Sequence, residues 1–300
     1  MKKEAIRVAS DSDYVHDVSY NFYGSRMAIC TSSQTICIWD RDEEGSGSWT
    51  ESTRIENAHS APIWRLDWAH PEFGNVIASC SEDRTIAIWS SSSRDTKNWK
   101  KRAILTDSPH AVTDVQFAPR IFGLKFAACT ADGIVRIYSA SDPLNLSVWE
   151  VEDFSTSDPG GCTALSWCAS DSAERIGVVG QAGILKIFMR TNRWQLVGET
   201  RVNDEKTSAP LKDCAWAPNL CRESEWIACC GESPIVTVWA LKDDNSLVCV
   251  HRIDTGVSPI WRCAWSITGD ILSLAPESGQ VQLWRLAGLG GSIGWERIRE

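Results

Sequence analysis

The sequence predicts an all-β fold, a β-propeller of six blades with four strands in each blade. Three observations predict it. Two series of aromatic residues recur with a period near 50 residues, each repeat reads as four short strands, and the repeats run through the chain of 300 residues. A period of about 20 to 50 residues indicates a solenoid, a propeller or an array. Four-stranded units that repeat radially form propellers, which leave only short, protected edges.

The two aromatic series mark different strands of each unit. The first series closes the third strand, with spacings of 50, 49, 50, 51 and 45 residues: Trp39, Trp89, Tyr138, Phe188, Trp239 and Trp284. The second series lies on the first strand, with spacings of 48, 49, 50, 49 and 49 residues: Tyr20, Trp68, Phe117, Trp167, Trp216 and Trp265. Because two independent markers keep one period, the repeat is not accidental.

The four strands of a unit carry different local signals. The first strand alternates in polarity, as in residues 112–119, which suits a strand with two distinct faces. The second strand is small and apolar, as in residues 77–81, and a tight turn follows it, as in residues 131–133, where Asp and Gly supply the turn conformations. The fourth strand begins near a further tryptophan in five of the six units: Trp49, Trp99, Trp149, Trp194 and Trp295.

The strand count leaves one segment over. Residues 13–300 hold six units that each have a fourth strand, including residues 294–299, and residues 1–12 hold one more candidate strand, whose centre is Ala5, Ile6, Arg7, Val8 and Ala9. In one alternative this strand is the outer strand of a further blade whose other three strands come from a partner chain, by strand addition. In the other alternative it completes blade six and the C-terminal segment stays loose. Either way the chain is predicted to form a single domain.

Composition and charge argue against several classes of function. The net charge is −9, so direct nucleic-acid binding and adhesion to an anionic membrane are disfavoured. No apolar run approaches the roughly 20 residues of a membrane-spanning helix, and the N-terminus does not read as a secretory signal. The chain has 12 cysteines but no Cys-x-x-Cys pair, and Cys30, Cys80, Cys129 and Cys229 are predicted to share one small buried position of the repeat. We therefore expect free thiols and neither a metal nor a cofactor.

His59, Asp83 and Trp89, with Ser79 or Ser81, superficially resemble a hydrolase triad. The same types recur one unit later as His110, Asp132 and Thr130 with Tyr138. A catalytic site has no reason to repeat, whereas buried polar groups that tie a turn to a strand do, because they need partners. The sequence thus predicts a structural hydrogen-bond network and no catalytic residue.

One tetrapeptide, Pro-Ile-Trp-Arg, occurs twice, and it supplies the tentative partner-binding residues Trp64, Arg65, Trp261 and Arg262. Tryptophan and arginine are frequent in binding hot spots. The alternative is structural, with each arginine pairing with Asp17 or Asp114 of a neighbouring blade.

The repeats resemble the Seh/Sec family of small WD40 propellers. The resemblance rests on residues 16–20, 23–28, 64–74, 131–138, 217–220 and 265–269, and residues 142–149 look closer to the nucleoporin branch than to the COPII-coat branch. It implies a six-bladed WD40 propeller that is open and is completed by a blade that a helical-scaffold nucleoporin donates in trans. Units four and six depart from the family pattern in their turns.

The resemblance also implies a function. It predicts a non-enzymatic scaffold subunit of the nuclear-pore Y-complex at the nuclear envelope, serving nucleocytoplasmic transport, mRNA export and pore assembly. It further implies a role in the SEA/GATOR complex, which regulates TORC signalling at the vacuolar or lysosomal membrane surface and in the cytoplasm. The alternatives are a COPII coat propeller in ER-to-Golgi transport and a substrate-recognition WD40 adaptor, for which a ring of arginines would be expected.

Overall fold

The computed structural model describes residues 13–42, 47–92, 95–158, 160–169, 173–202, 209–218, 222–257, 259–288 and 293–298. Within these residues the chain forms 24 β-strands and two single turns of 3-10 helix, at Pro71–Phe73 and Arg120–Phe122. No helix among them has the length and apolar character that a membrane crossing requires. The predicted strand at Ala5, Ile6, Arg7, Val8 and Ala9 lies outside the described residues.

The strands form six antiparallel sheets, each built from four consecutive strands in sequence order, and we call each sheet a blade. The predicted all-β, six-bladed fold is therefore confirmed. The strands of blades 1 to 3 are β1 Val15–Tyr20, β2 Arg26–Thr31, β3 Ile36–Arg41, β4 Trp49–Ile55, β5 Ile63–Trp68, β6 Asn75–Ser81, β7 Ile86–Ser91, β8 Trp99–Leu105, β9 Val112–Phe117, β10 Lys125–Thr130, β11 Ile134–Ala140 and β12 Trp149–Ser155. Those of blades 4 to 6 are β13 Cys162–Trp167, β14 Arg175–Gly180, β15 Ile184–Arg190, β16 Trp194–Arg201, β17 Leu211–Trp216, β18 Glu225–Gly231, β19 Ile235–Leu241, β20 Leu247–Asp254, β21 Ile260–Trp265, β22 Ile271–Pro276, β23 Gln282–Gly288 and β24 Ile293–Arg297.

The chain divides into two compact units. Unit 1 comprises Met1–Ala131 and Val135–Asp153, and unit 2 comprises Asp132–Ile134 and Phe154–Glu300. Unit 1 holds blades 1 and 2 and most of blade 3, and unit 2 holds blades 4 to 6. That all six blades form one domain stays a prediction.

Turn chemistry explains how the second strand of a blade reverses into the third. In blades 3 and 4 the last residue of this turn is Gly133 or Gly183, with φ of 82° and 71°. Glycine adopts this left-handed conformation without the steric cost that a Cβ atom imposes. A Cβ at Gly183 would also come within 2.9 Å of the carbonyl oxygen of Ala209. These turns fix the register of the two central, most buried strands.

Adjacent blades within a unit pack face to face through apolar side chains. The face that a blade presents to the next blade in the chain is its following face, and the opposite one is its preceding face. Between blades 1 and 2 the following face contributes Ala28, Cys30, Ile36 and Ile38, and the preceding face contributes Leu66, Trp68, Ile77, Ala87 and Trp89. The same arrangement joins blades 2 and 3, 4 and 5, and 5 and 6. Each blade is therefore stabilised by burying one sheet face against its neighbour.

Candidate partner-binding surfaces

Polar groups on the first strands add directed contacts between adjacent blades. A side-chain oxygen at the third or fifth position of one first strand accepts a hydrogen bond from a backbone N–H of the next first strand. The pairs are Asp17 with Leu66 at 3.2 Å, Asp67 with Phe117 at 2.7 Å, Ser166 with Trp216 at 3.0 Å and Asp213 with Cys263 at 2.9 Å. Side chains at the third and fifth positions thus reach the next blade, and those at the fourth and sixth positions belong to the preceding face. Asp114, a third residue, also lies beside Arg65 of the preceding blade.

Blade 1 exposes part of its preceding face. Tyr20 is 55% exposed and Val18 is 42% exposed. The residues equivalent to Tyr20 in blades 2 to 5 are buried: Trp68, Phe117, Trp167 and Trp216. An aromatic side chain at this position normally packs on a neighbouring blade. Val18 and Tyr20 therefore form an apolar surface that suits a protein partner, which we call the blade 1 surface.

Blade 6 exposes apolar residues of its following face. Val281, just before the third strand, is 60% exposed, and Leu283 on that strand is 40% exposed. The equivalent pairs in the other five blades are all buried: Ile36 and Ile38, Ile86 and Ile88, Val135 and Ile137, Leu185 and Ile187, and Val236 and Val238. We call Arg262, Ala264, Val281 and Leu283 the blade 6 surface. Sequence reasoning did not name the exposed apolar residues of either surface as partner-binding, and Val281 and Leu283 are aliphatic like their buried counterparts.

The first Pro-Ile-Trp-Arg motif makes structural contacts. Arg65 Nε lies 3.4 Å from a carboxylate oxygen of Asp114 in blade 3, and Trp64 Nε1 donates to Glu82 at 2.8 Å. The ring of His16 lies 4.7 Å from that of Trp64. For this copy the structure favours the neighbour-pairing alternative, with Asp114 as the partner.

The second copy of the motif has a different environment. Trp261 is 44% exposed, and the ammonium group of Lys212 lies 5.1 Å from its ring centre. Arg262 donates to the carbonyl oxygen of Trp261 at 3.3 Å. A partner-binding role for Trp261 and Arg262 stays a prediction.

The structure brings His59, Asp83 and Trp89 together around Ser79. His59 Nδ1 lies 3.0 Å from Asp83 Oδ2, His59 Nε2 lies 2.8 Å from Ser79 Oγ, and Trp89 Nε1 donates to Ser79 Oγ at 3.0 Å. Burial alone would raise the pKa of Asp83, but hydrogen bonds from His59 and Thr85 outweigh it and hold the pKa below its usual range.

This geometry resembles a serine–histidine–aspartate triad, but it does not suit catalysis. Ser79 has no exposed surface, and its hydroxyl is already engaged by His59 and Trp89. A nucleophile must come within attacking distance of a substrate carbonyl. A groove of about 560 Å³ borders His59, Asp83, Thr85 and Lys101, yet Ser79 does not line it. The network ties the loop before β5 to the β6–β7 turn.

Blade 3 corrects the predicted repeat of this network. His110 is exposed, and Ser108 occupies the position equivalent to His59, four residues before the first strand. The residue equivalent to Ser79 is Ala128, which has no hydroxyl group to join histidine and aromatic ring. Asp132 caps its own turn by accepting from the N–H of Ile134 at 3.4 Å. His110 and Asp132 therefore do not form the predicted network.

Other blades hold the loop before the first strand in a different way. A long polar side chain on the third strand, two residues before the aromatic, reaches that loop. Arg136 donates to Ser108 Oγ at 3.2 Å, Lys186 to the Thr156 carbonyl at 2.6 Å, and Gln282 to the Thr255 carbonyl at 3.4 Å. These side chains are nearly buried, so their hydrogen bonds satisfy groups that would otherwise be costly to bury.

The cysteines are packed as small apolar residues. All eleven cysteines that the structure describes carry free thiols, and ten of them are buried. The shared position was predicted one residue off in blade 5: strand pairing places Cys230, not Cys229, opposite Asp213, as Cys30 lies opposite Asp17. Ligand atoms of Asp213, Cys230 and Cys263 lie within 4.8 Å of one another. Three protein ligands without an open path are fewer than a structural zinc site uses, and packing between blades 5 and 6 explains their proximity.

Comparison with known proteins defines the class and then the family. Residues 4–40 and 50–90 match the model of the WD domain, G-beta repeat. A chain in a crystal structure of the mitotic checkpoint complex shares the fold, with a TM-score of 0.72, 18% identity, and coverage of 92% of this chain and 79% of that chain. The fold and the repeats therefore define a WD40-repeat β-propeller, a class whose members are typically non-enzymatic scaffolds.

Curated relatives resemble the chain over nearly all of its length. Nucleoporin SEH1-A of Xenopus laevis is 37% identical over 92% of this chain and 83% of its own length. Nucleoporin SEH1 of Homo sapiens is 36% identical with the same coverage. The chain belongs to the nucleoporin SEH1 family.

Proposed function

We propose that this protein is a non-enzymatic structural subunit of the nuclear-pore Y-complex, where it binds a helical-scaffold nucleoporin that donates a blade in trans. Its relatives are named nucleoporins, which supports a position at the nuclear envelope. The observation that carries the proposal is the exposed apolar side chain of Tyr20, whose equivalents in blades 2 to 5 are buried. A blade supplied by a partner would cover the blade 1 surface as blade 1 covers the preceding face of blade 2.

The strand order supports the donated blade. Blade 6 has its own fourth strand, β24, which pairs with β23 from Gly288 opposite Ile293 to Trp284 opposite Arg297. An N-terminal strand is therefore not needed to complete that blade. We propose that Ala5, Ile6, Arg7, Val8 and Ala9 form the outer strand of a blade whose other three strands come from the partner. Such a contact belongs to the class of permanent interfaces, which bury more than about 2,000 Å².

The remaining chemistry agrees with a scaffold. The charge of −9 opposes direct contact with nucleic-acid phosphates. The one triad-like cluster that the described residues form has its serine fully buried. Roles in mRNA export, the SEA/GATOR complex and a COPII coat stay predictions of the sequence resemblance, as does location at a vacuolar or lysosomal surface.

Affinity capture from cell extract, with identification of the co-purifying chains, tests the proposal. Three variants are compared with the wild type: deletion of residues 1–12, the double substitution Val18→Ser with Tyr20→Ser, and the control Leu144→Ser. Leu144 is an exposed loop residue of blade 3, so its variant also removes a surface hydrophobe.

We expect the wild type and the control to capture a helical-scaffold nucleoporin. The deletion should abolish capture and the double substitution should weaken it, while circular dichroism shows every variant folded. Capture of no nucleoporin by the wild type, or unchanged capture by the deletion variant, would overturn the proposal.

A further inference from the structure

We propose that the blade 6 surface selects a partner strand that carries a carboxylate opposite Arg262, as Asp114 stands opposite Arg65 inside the protein. The inference rests on the proposed function, since it names the chemistry of the donated blade. It goes further by assigning a specificity role to one residue of this chain and a residue type to one position of the partner.

The contact between blades 2 and 3 shows the pairing that we propose for Arg262. Arg65 is the third residue of β5, and its guanidinium lies 3.4 Å from Asp114, the third residue of β9. Both side chains are largely removed from solvent. Beside this pair, Val115 and Phe117 of β9 pack on the following face of blade 2, in one cluster with Ala78, Cys80, Ile86 and Ile88. One strand thus offers a carboxylate, an aliphatic group and an aromatic ring at its third, fourth and sixth positions.

The following face of blade 6 carries the same set of side chains for a donated blade to contact. Arg262 is the third residue of β21, within a repeat of the tetrapeptide that contains Arg65. Val281 and Leu283 replace Ile86 and Ile88, and both are exposed. Trp64 packs against the cluster that joins blades 2 and 3, whereas its counterpart Trp261 is 44% exposed. A strand with the residue pattern of β9 would therefore cover the following face of blade 6 as β9 covers that of blade 2.

The other blades show why this position discriminates between partners. The third residue of the first strand is Asp17, Asp114, Ala164 or Asp213 in blades 1, 3, 4 and 5, and it is a cation only in blades 2 and 6 of the described sheets. Arginine offers a planar set of donors that matches a carboxylate. A strand with lysine or arginine at its own third position would place like charges together as the contact loses water. The blade 6 surface thereby favours an acidic strand and rejects a basic one.

The experiment measures binding of the co-purified nucleoporin, prepared as a recombinant chain, to four forms of this protein by titration calorimetry. The forms are the wild type, Arg262→Glu, Arg262→Lys and the control Arg193→Glu. Arg193 is exposed in the β15–β16 turn, so its variant makes the same change in net charge away from the surface. Thermal unfolding of each free form checks that the fold is retained.

We expect Arg262→Glu to weaken binding by about tenfold or more, Arg262→Lys to weaken it less, and the control to stay within twofold of wild type. Lysine or arginine at one acidic position of the partner's first donated strand should restore binding to Arg262→Glu, and this reversal excludes a merely structural effect.

Three results would contradict either the role of Arg262 or the proposed function, and they can be told apart. Binding of Arg262→Glu within twofold of wild type contradicts the inference and leaves the proposed function intact. Loss of binding that no acidic position of the partner reverses also contradicts it. Failure of the wild type to bind any nucleoporin overturns the proposed function, and this inference with it.

Discussion

Asp67 and Phe117 are 50 residues apart in sequence, yet a carboxylate oxygen of Asp67 accepts a hydrogen bond from the Phe117 N–H at 2.7 Å. The bond joins the first strands of blades 2 and 3. Burial raises the pKa of Asp67 to about 7, although backbone hydrogen bonds from Phe117 and Trp68 act to lower it. The residue therefore couples blade packing to pH.

We expect Asp67→Asn to remove part of the pH dependence of stability between about pH 4 and pH 7. The unfolded carboxyl titrates near pH 3.9, so the folded protein binds the extra proton within this window. The stabilisation is fully present below pH 4 and is lost as pH rises through 7, by about 2–4 kcal/mol. Urea unfolding at several pH values measures it. Parallel curves for wild type and variant would show that Asp67 does not titrate there.

His59→Ala should lower the free energy of unfolding by about 2–3 kcal/mol. The substitution leaves Asp83 and Ser79 buried without their shared partner, which costs more than the net worth of the lost bonds. His110→Ala is the matched control, since His110 is exposed, and it should change stability by less than about 0.5 kcal/mol. Equal losses for the two variants would contradict the assignment of the network to blade 2.

A double-mutant cycle with Arg65→Ala and Asp114→Ala should give a coupling energy of about 1–2 kcal/mol. The pair is largely buried, so solvent screens it less than a surface ion pair, and the cycle cancels the other contacts that each residue makes. Unfolding free energies of the four proteins supply the number. If the effects of the two substitutions on the unfolding free energy simply add, Arg65 and Asp114 do not interact, and the pairing proposed at Arg262 loses its precedent in this protein.

Alkylation of the native protein at pH 8 should be slow at nearly every described cysteine. Burial raises the pKa of Cys37 and Cys162 to about 11 and holds that of Cys80 and Cys229 well above its usual range, and the thiolate is the reactive form. Among the described cysteines Cys249 is the one that is partly exposed, and it should react first. Mass spectrometry of peptides after iodoacetamide treatment measures the order in which the cysteines are alkylated. Rapid labelling of Cys80 would show that the blades separate readily.

Local patterns in the sequence determined the repeat. The strands begin at Trp49, Trp99, Trp149 and Trp194 as predicted, because a large aromatic residue and the alternation behind it are signals within one strand. The prediction of β24 was confirmed for the same reason. An error of one residue arose at the adjacent pair Cys229 and Cys230. Cys230 lies nine residues before Trp239, as Cys80 lies nine before Trp89, and cross-strand pairing confirms that register.

The sequence did not predict which residues of adjacent blades contact one another. Asp17 and Asp114 were equal candidates for Arg65 until packing brought Asp114 to 3.4 Å. His110 matched His59 in type, but it stands two residues nearer its strand and points into solvent, while Ser108 takes the equivalent place.

The sequence by itself determined that six four-stranded blades follow one another, because hydrophobic alternation and turn residues act over a few neighbouring positions. Tertiary structure alone decided which apolar faces are covered and which charges meet. Val281 and Leu283 are aliphatic like Ile86 and Ile88 but are exposed. Their burial depends on whether another blade packs against them, and the sequence of one strand does not specify that.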